Sequence, residues 1–231
     1  MTVPTVVAIP TRDRMDLLVP LVTELTLQDQ HTELWILDNS DAQNVRDHLV
    51  LDKKLHVRPC PDMGIYPMWN MAWDLAVKHY PSRVNVALLN DDIRIPENFI
   101  GTLASALRYD KEEWWCVYPN YHRTLADPVT DEGITATEGT YKHDGMSGWA
   151  FMFRGEIMYH GVPFVDENFV WWCGDDDFAR QVVKHGGKIG RVNGLPVEHP
   201  HESTVQNYPH LQAAKASDIR YLIKKHGKEA W

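Results

Sequence analysis

The feature that most constrains this chain is an alternation, through its first half, of short apolar runs with helical stripes. Val6-Val7-Ala8-Ile9 is closed by Pro10, and Leu34-Trp35-Ile36-Leu37 is stopped by Asp38-Asn39-Ser40-Asp41. Leu55-His56-Val57 and Val84 to Leu89 are further runs of the same kind. Apolar runs this short, bounded by turn residues, read as buried strands. Between them, Met15 to Leu27 sets Leu17, Leu18, Leu21, Val22 and Leu25 on a helical stripe. A short helix runs through Val45 and Leu49. Tyr66 to Val77 carries Trp69, Ala72, Trp73 and Ala76 on related faces, and Phe99 to Leu107 is helical again. Repeated βα units of this kind predict an α/β fold with a Rossmann-like, mostly parallel sheet flanked by helices.

In such sheets ligands bind beyond the carboxyl ends of the strands. Those ends carry Pro10-Thr11-Arg12, Asp38-Asn39-Ser40 and Asn90-Asp91-Asp92. Asp, Asn and Ser also cap helices and make turns, which would suffice for one cluster. Three clusters on one rim favour a site. The second half is less regular. Trp114 to Tyr118, Gly148 to Arg154 and Lys188 to Val192 read as strands, and Asp175 to His185 as a helix ended by Gly186-Gly187. Asn120 to Gly145 is polar and without period, a long loop or irregular strands of the sort that carries function. Leu211 to His226 is a helix whose basic end suits the macrodipole. A length of 231 residues fits one domain over 1–205, followed by a C-terminal helix within 206–231.

Three groups of residues carry chemistry. The turn Asn90-Asp91-Asp92 offers two carboxylates and an amide, oxygen donors of the kind that hold a hard divalent cation together with substrate phosphates. Asp175-Asp176-Asp177 stands at a helix start, where one acidic residue would serve the dipole and three exceed that need. Trp171-Trp172 precede it, and a carboxylate beside bulky aromatics has a raised pKa suited to a general base. Glu198-His199-Pro200-His201-Glu202 places two imidazoles among glutamates, with His199 the better candidate metal ligand.

A net charge of −9 weighs against a protein built to grip a polyanion. Three dispersed cysteines, Cys60, Cys116 and Cys173, form no CxxC pair, so no disulfide framework or zinc knuckle is expected. The start of the chain lacks a basic n-region, and no stretch approaches the roughly 18 apolar residues of a membrane span. A cytoplasmic protein without integral membrane association is the expectation.

Taken in order, these clusters resemble the family 2 glycosyltransferases of the GT-A fold, from about Val6 to Ser203. Ile9-Pro10-Thr11-Arg12-Asp13-Arg14 matches the family's Pro-Thr-x-Arg-like strand end, and Leu37-Asp38-Asn39-Ser40 its Val-Asp-Asn-x-Ser. Gly64 and Asn70 echo its helix after a glycine. Leu89-Asn90-Asp91-Asp92 matches the DXD-type motif, with Asp92 at the metal-binding aspartate. Gly161 to Phe169 carries about one residue more than Gly-x-Phe-Asp-Glu-x-Phe. In Gly174-Asp175-Asp176-Asp177-Phe178, Gly174 stands where the family has Glu, so Asp175 and Asp176 are both candidate bases. The family's terminal His matches His199.

The resemblance implies a nucleotide-binding half over 1–95 and an acceptor half over 96–205. Pro10, Thr11, Arg12, Asp38, Asn39, Asn70, Asn90 and Asp91 would contact the donor nucleotide. Asp92 and His199 would hold Mn²⁺ or Mg²⁺. Asp175 or Asp176 would deprotonate the acceptor hydroxyl, with inversion at the anomeric carbon. Gly148, Trp149, Trp171 and Trp172 would line the sugar and acceptor region. Trp69 and Trp73, at helical spacing, are expected in the core. A UDP-sugar is the favoured donor. The acceptor is open among saccharide, lipid-linked sugar, protein and modified DNA base. Two rivals stand beside this reading: a nucleotide-sugar-binding module without catalysis, and a nucleotidyltransferase, although Pro10-Thr11-Arg12 is no Gly-rich phosphate loop.

Overall fold

The computed structural model describes residues 3–28, 33–41, 45–49, 53–107, 114–140, 145–146, 148–199 and 211–230. His201, Ser147 and the expected 205/206 boundary lie outside them. Among the described residues the strands are β1 (Thr5–Thr11), β2 (Glu33–Asp38), β3 (Leu55–Pro59), β4 (Asn85–Leu89), β5 (Cys116–Asn120), β6 (Ile134–Thr137), β7 (Ala150–Arg154) and β8 (Ile189–Pro196). The helices are α1 (Met15–Gln28), α2 (Val45–His48), α3 (Ile65–His79), α4 (Phe99–Leu107), α5 (Gly174–Lys184) and α6 (Leu211–His226), with a 3-10 turn at Gly155–His160.

The strands form one mixed sheet in the order β3-β2-β1-β4-β7-β5-β8-β6. β3, β2, β1 and β4 run parallel, as the βα alternation requires. β7 is antiparallel to both β4 and β5, while β5 and β8 are parallel to each other. The expected irregular stretch contains a true strand, β6, antiparallel to β8 at the sheet edge. Its exposed Thr135 and Ala136 make the short, half-polar pattern that hid it.

Alternate residues feed two apolar layers. Phe151 and Phe153 of β7 face α3 and α5, packing with Trp69, Trp73 and Phe178, whereas Ala150 and Met152 face α1 and α4. Trp69 and Trp73 are buried as expected, and Trp73 Nε1 donates to Gly155 O at 2.6 Å. β1 pairs with β2 as far as Thr11–Asp38, but with β4 only as far as Ala8–Leu88. Pro10 lies in the stretch freed on that side, where a residue without N–H is tolerated. β1 and β4 therefore stop pairing before their carboxyl ends, at the point where the strand order reverses and where sheets of this kind bind ligands.

Candidate functional site

Strand direction brings five segments to that rim. β1, β2 and β4 end there, β7 begins there because it is antiparallel, and β8 ends there because it is parallel to β5. Two backbone links complete the assembly. Asn90 N donates to Trp149 O at 2.8 Å, tying the acidic turn to the start of β7. Arg94 and Glu198 exchange both N–H bonds, at 2.9 and 3.1 Å, which carries the segment after β8 back over the turn.

As a result, His199 Nε2 lies 3.1 Å from Asp92 Oδ1. The His199 ring stacks on Trp149, with centroids 5.3 Å apart and planes 9° off parallel. Thr11 Oγ1 donates to Asp91 Oδ2 at 2.7 Å. Both aspartates are buried. Burial pushes the Asp91 carboxyl up to about 6; the Asp92 charge adds to the rise, while the Thr11 hydroxyl and Arg14 guanidinium oppose it.

Arg14, not Arg12, reaches this turn. Its Nη1 donates to Asp92 Oδ2 at 3.2 Å and lies 4.0 Å from Asp91 Oδ1. Arg12 instead extends outward to the exposed Asp41, 3.1 Å away. The cause is local: Asp13 adopts φ +53 and donates its N–H to Ser40 Oγ. That left-handed residue, which Asp tolerates better than most, sends the flanking arginines in different directions. No spacing rule in the sequence distinguishes the two.

Asp38 is 1% exposed, and its Oδ1 accepts Ser40 N–H at 2.9 Å, an Asx-type closure of the β2 turn. Asn39 donates through its side chain to Met63 O and through its backbone to Thr11 O. Asn70 is committed elsewhere. Its amide donates to Val165 O and Glu167 Oε1 and accepts from Val165 N, pinning the 165–167 segment to α3.

At the start of α5 the three aspartates separate by role. Asp175 Oδ2 accepts the Gly148 N–H at 2.7 Å, beside Trp149. A side chain on Gly148 would meet Trp69 at 2.9 Å and Asp175 Oδ2 at 3.0 Å, so this approach needs a glycine. Burial raises the Asp175 carboxyl above its ordinary value, against the lowering effect of the backbone N–H donors of Gly148, Asp176 and Asp175 itself. Asp176 is buried. Asp177 faces α6, where Lys225 Nζ lies 3.0 Å away and His226 Nε2 lies 2.6 Å from its Oδ1.

Trp171 and Trp172 are held by α6 rather than by the acidic turn. Their N–H groups both donate to Asp218 Oδ2 at 2.8 Å. Lys215 Nζ sits 4.0 Å over the Trp172 ring, so a cation occupies that face. Thus Thr11, Asp91, Asp92, His199, Trp149, Gly148 and Asp175 form a continuous chain of contacts on the rim. Arg14, part of the strand-end motif, is given no site role from the sequence, and Asp218 beneath the tryptophans is not singled out there at all.

Among the described residues, no three His, Cys, Asp or Glu side chains gather to enclose an ion. The turn offers a half-site, one carboxylate and one imidazole 3.1 Å apart. That donor set suits a divalent cation whose other positions are filled by phosphate oxygens and water.

No protein-family model matches this chain, and no curated protein matches it. Among solved structures it is similar to the crystal structure of GalNAc-T7 with UDP, GalNAc and Mn²⁺. The TM-score is 0.62 and the identity 13%, over 86% of this chain and 44% of that one. The chain therefore spans less than half the length of that protein. The likeness is one of fold: an α/β GT-A fold built on a central eight-stranded sheet flanked by helices. No helix among the described residues is long and apolar enough to cross a membrane.

Proposed function

We propose that this protein is a metal-dependent glycosyltransferase of the family 2 kind. It moves a sugar from a nucleoside-diphosphate donor, a UDP-sugar first among them, to an acceptor hydroxyl with inversion. The observation that carries the reading is the buried Asp91-Asp92 turn, joined to Thr11 and His199 where β1 and β4 stop pairing. The GT-A fold adds support, since a neighbour of that fold was crystallised with UDP and Mn²⁺.

In this reading Asp92 and His199 would hold Mn²⁺ or Mg²⁺, which would supply Lewis-acid neutralisation of the leaving diphosphate. Thr11 keeps Asp91 oriented beside it, and Asn90 and Trp149 fix the turn against β7. Asp38, Asn39 and Pro10 shape the nucleotide side of the rim. Asp175 is the preferred base over Asp176, because it abuts Gly148 at the rim and burial raises its proton affinity. Its carboxylate takes the proton of the acceptor hydroxyl as that oxygen bonds to the anomeric carbon. The bond from that carbon to the diphosphate oxygen breaks, and the nucleoside diphosphate departs with the electron pair.

The test is a panel of nucleotide sugars assayed for Mn²⁺-dependent hydrolysis and transfer, alongside Asp175→Asn. The expected outcome is release of one nucleoside diphosphate by the parent protein, with donor binding kept and turnover lost in the variant. Binding without turnover by the parent protein would favour the binding module. Pyrophosphate release from a nucleoside triphosphate and a sugar phosphate would favour the nucleotidyltransferase.

A further inference from the structure

The loop that leads into α5 is organised around a single buried carboxylate from α6. Asp218 is 1% exposed. It accepts the N–H groups of three successive residues: Val170 at 3.1 and 3.2 Å to its two oxygens, and Trp171 and Trp172 at 2.8 Å each. A carboxylate withdrawn from water is strongly unfavourable unless its lone pairs are satisfied. Three converging backbone donors do so here, forming a nest of the type that binds anions. Conversely, three adjacent N–H groups pointing one way need an acceptor, and Asp218 supplies it.

The segment after the nest is tightly constrained by its backbone and its neighbours. Cys173 takes φ +67, a left-handed conformation uncommon outside glycine and costly for it. Gly174 N donates to Tyr66 Oη at 3.0 Å, and a Cβ at Gly174 would fall inside the Tyr66 ring. Asp175 is next. The five residues from Val170 to Gly174 thus form a short strut, anchored on Asp218 at one end and on Tyr66 at the other, with Asp175 projecting from its far end. The Asp218 charge also acts along this strut: it contributes, after burial and nearer aspartates, to the upward shift of the Cys173 thiol.

We propose that Asp218 is a positioning residue for the transfer reaction, setting the backbone of Val170–Trp172 and through it the place of Asp175 against Gly148. The inference rests on Asp175 as the base. It makes α6 a working part of the site rather than an appended helix. A displacement of about 1 Å in a reacting group costs about a hundredfold in rate, so a loosened strut should lower kcat while donor binding at the acidic turn stays intact.

The variants are Asp218→Asn and Asp218→Ala, with Asp74→Asn, in an exposed pair with Lys78 on α3, as the control. Asn keeps one acceptor oxygen and can retain the Trp171 and Trp172 bonds, whereas Ala retains none. Docking of α6 does not depend on Asp218 alone, because Lys225 and Tyr221 bind Asp166 and His226 binds Asp177. Two readouts decide. Amide hydrogen exchange at Val170, Trp171 and Trp172 should accelerate in both variants, more in Ala. In the transfer assay kcat should fall about tenfold in Asn and further in Ala, while the donor KM stays within about twofold. Unchanged exchange would overturn the clamp. Faster exchange with unchanged kcat, or a loss carried by KM, would overturn the positioning role. If the unaltered protein neither binds nor turns over any nucleotide sugar, the function above falls with the catalytic half of this inference, and exchange alone judges the clamp.

Discussion

Two carboxylates side by side in a buried turn repel each other, and Arg14 is the cation that offsets them. Its side chain is 11% exposed, and that of Asp92 2%. Removing one partner of a pair this deep leaves an uncompensated buried charge, at a cost of about 3–5 kcal/mol. Arg14→Gln should therefore lower the melting temperature in metal-free buffer. Added Mn²⁺ should recover more stability in the variant than it adds to the parent, because the ion takes over the cation's place. Equal Mn²⁺ stabilisation of both proteins, by differential scanning fluorimetry, would mean the ion does not take the place of the Arg14 charge, and no stabilisation of either would mean the turn does not take the ion. At this scale the sequence was legible in part. Thr11, Asp91, Asp92, His199 and Asp175 stood out as chemical types next to strand ends, and the fold brings them to one rim. Arg12 and Arg14 did not separate, since no spacing rule tells which of the two, on either side of the left-handed Asp13, turns inward. The amide of Asn70 went to a loop of its own fold, a use that residue type alone cannot signal.

Among the elements, the helices and the first four strands follow directly from periodicity, because β1 and β4 are buried throughout, β2 is buried beyond Glu33, and α3 carries a full apolar stripe. The pattern could not convey that β7 inserts antiparallel between β4 and β5. That pairing joins residues some sixty positions apart and leaves no local trace. α6 is the other element whose role is invisible locally: its buried face is narrow, with Asp218 and Leu222 as its buried residues. Its docking combines the buried Leu222 with ion pairs and hydrogen bonds, and the latter give it a pH dependence. Burial alone would raise the Asp166 carboxyl, but hydrogen bonds from Lys225, Asn168 and Tyr221 outweigh that and hold it well below its ordinary value of 3.8. A carboxyl depressed in the folded state stabilises fully above its unfolded pKa, and that contribution is lost as pH falls below about 3.8. Acid titration should therefore release α6 in that range, read as faster amide exchange along 211–226. Asp166→Asn should remove that acid-linked step, and an unchanged acid profile in the variant would refute the assignment.

For the molecule as a whole, the strand order 3-2-1-4 reverses at β1 and β4, and the segments that meet at that point form one acidic, aromatic rim. Parallel strands end there, the antiparallel β7 starts there, and the exchange of bonds between Arg94 and Glu198 carries His199 across to Asp92. The organisation explains why residues about a hundred positions apart, such as Asp92 and His199, come together at one rim. The most direct measurement is calorimetry of UDP, GDP and dTDP with and without Mn²⁺, on the parent protein and on Asp92→Ala. The parent should bind one nucleoside diphosphate at least about tenfold more tightly with Mn²⁺ present, and Asp92→Ala should lose that gain. Nucleotide affinity indifferent to Mn²⁺ in the parent, or a Mn²⁺ gain that survives in Asp92→Ala, would contradict the account.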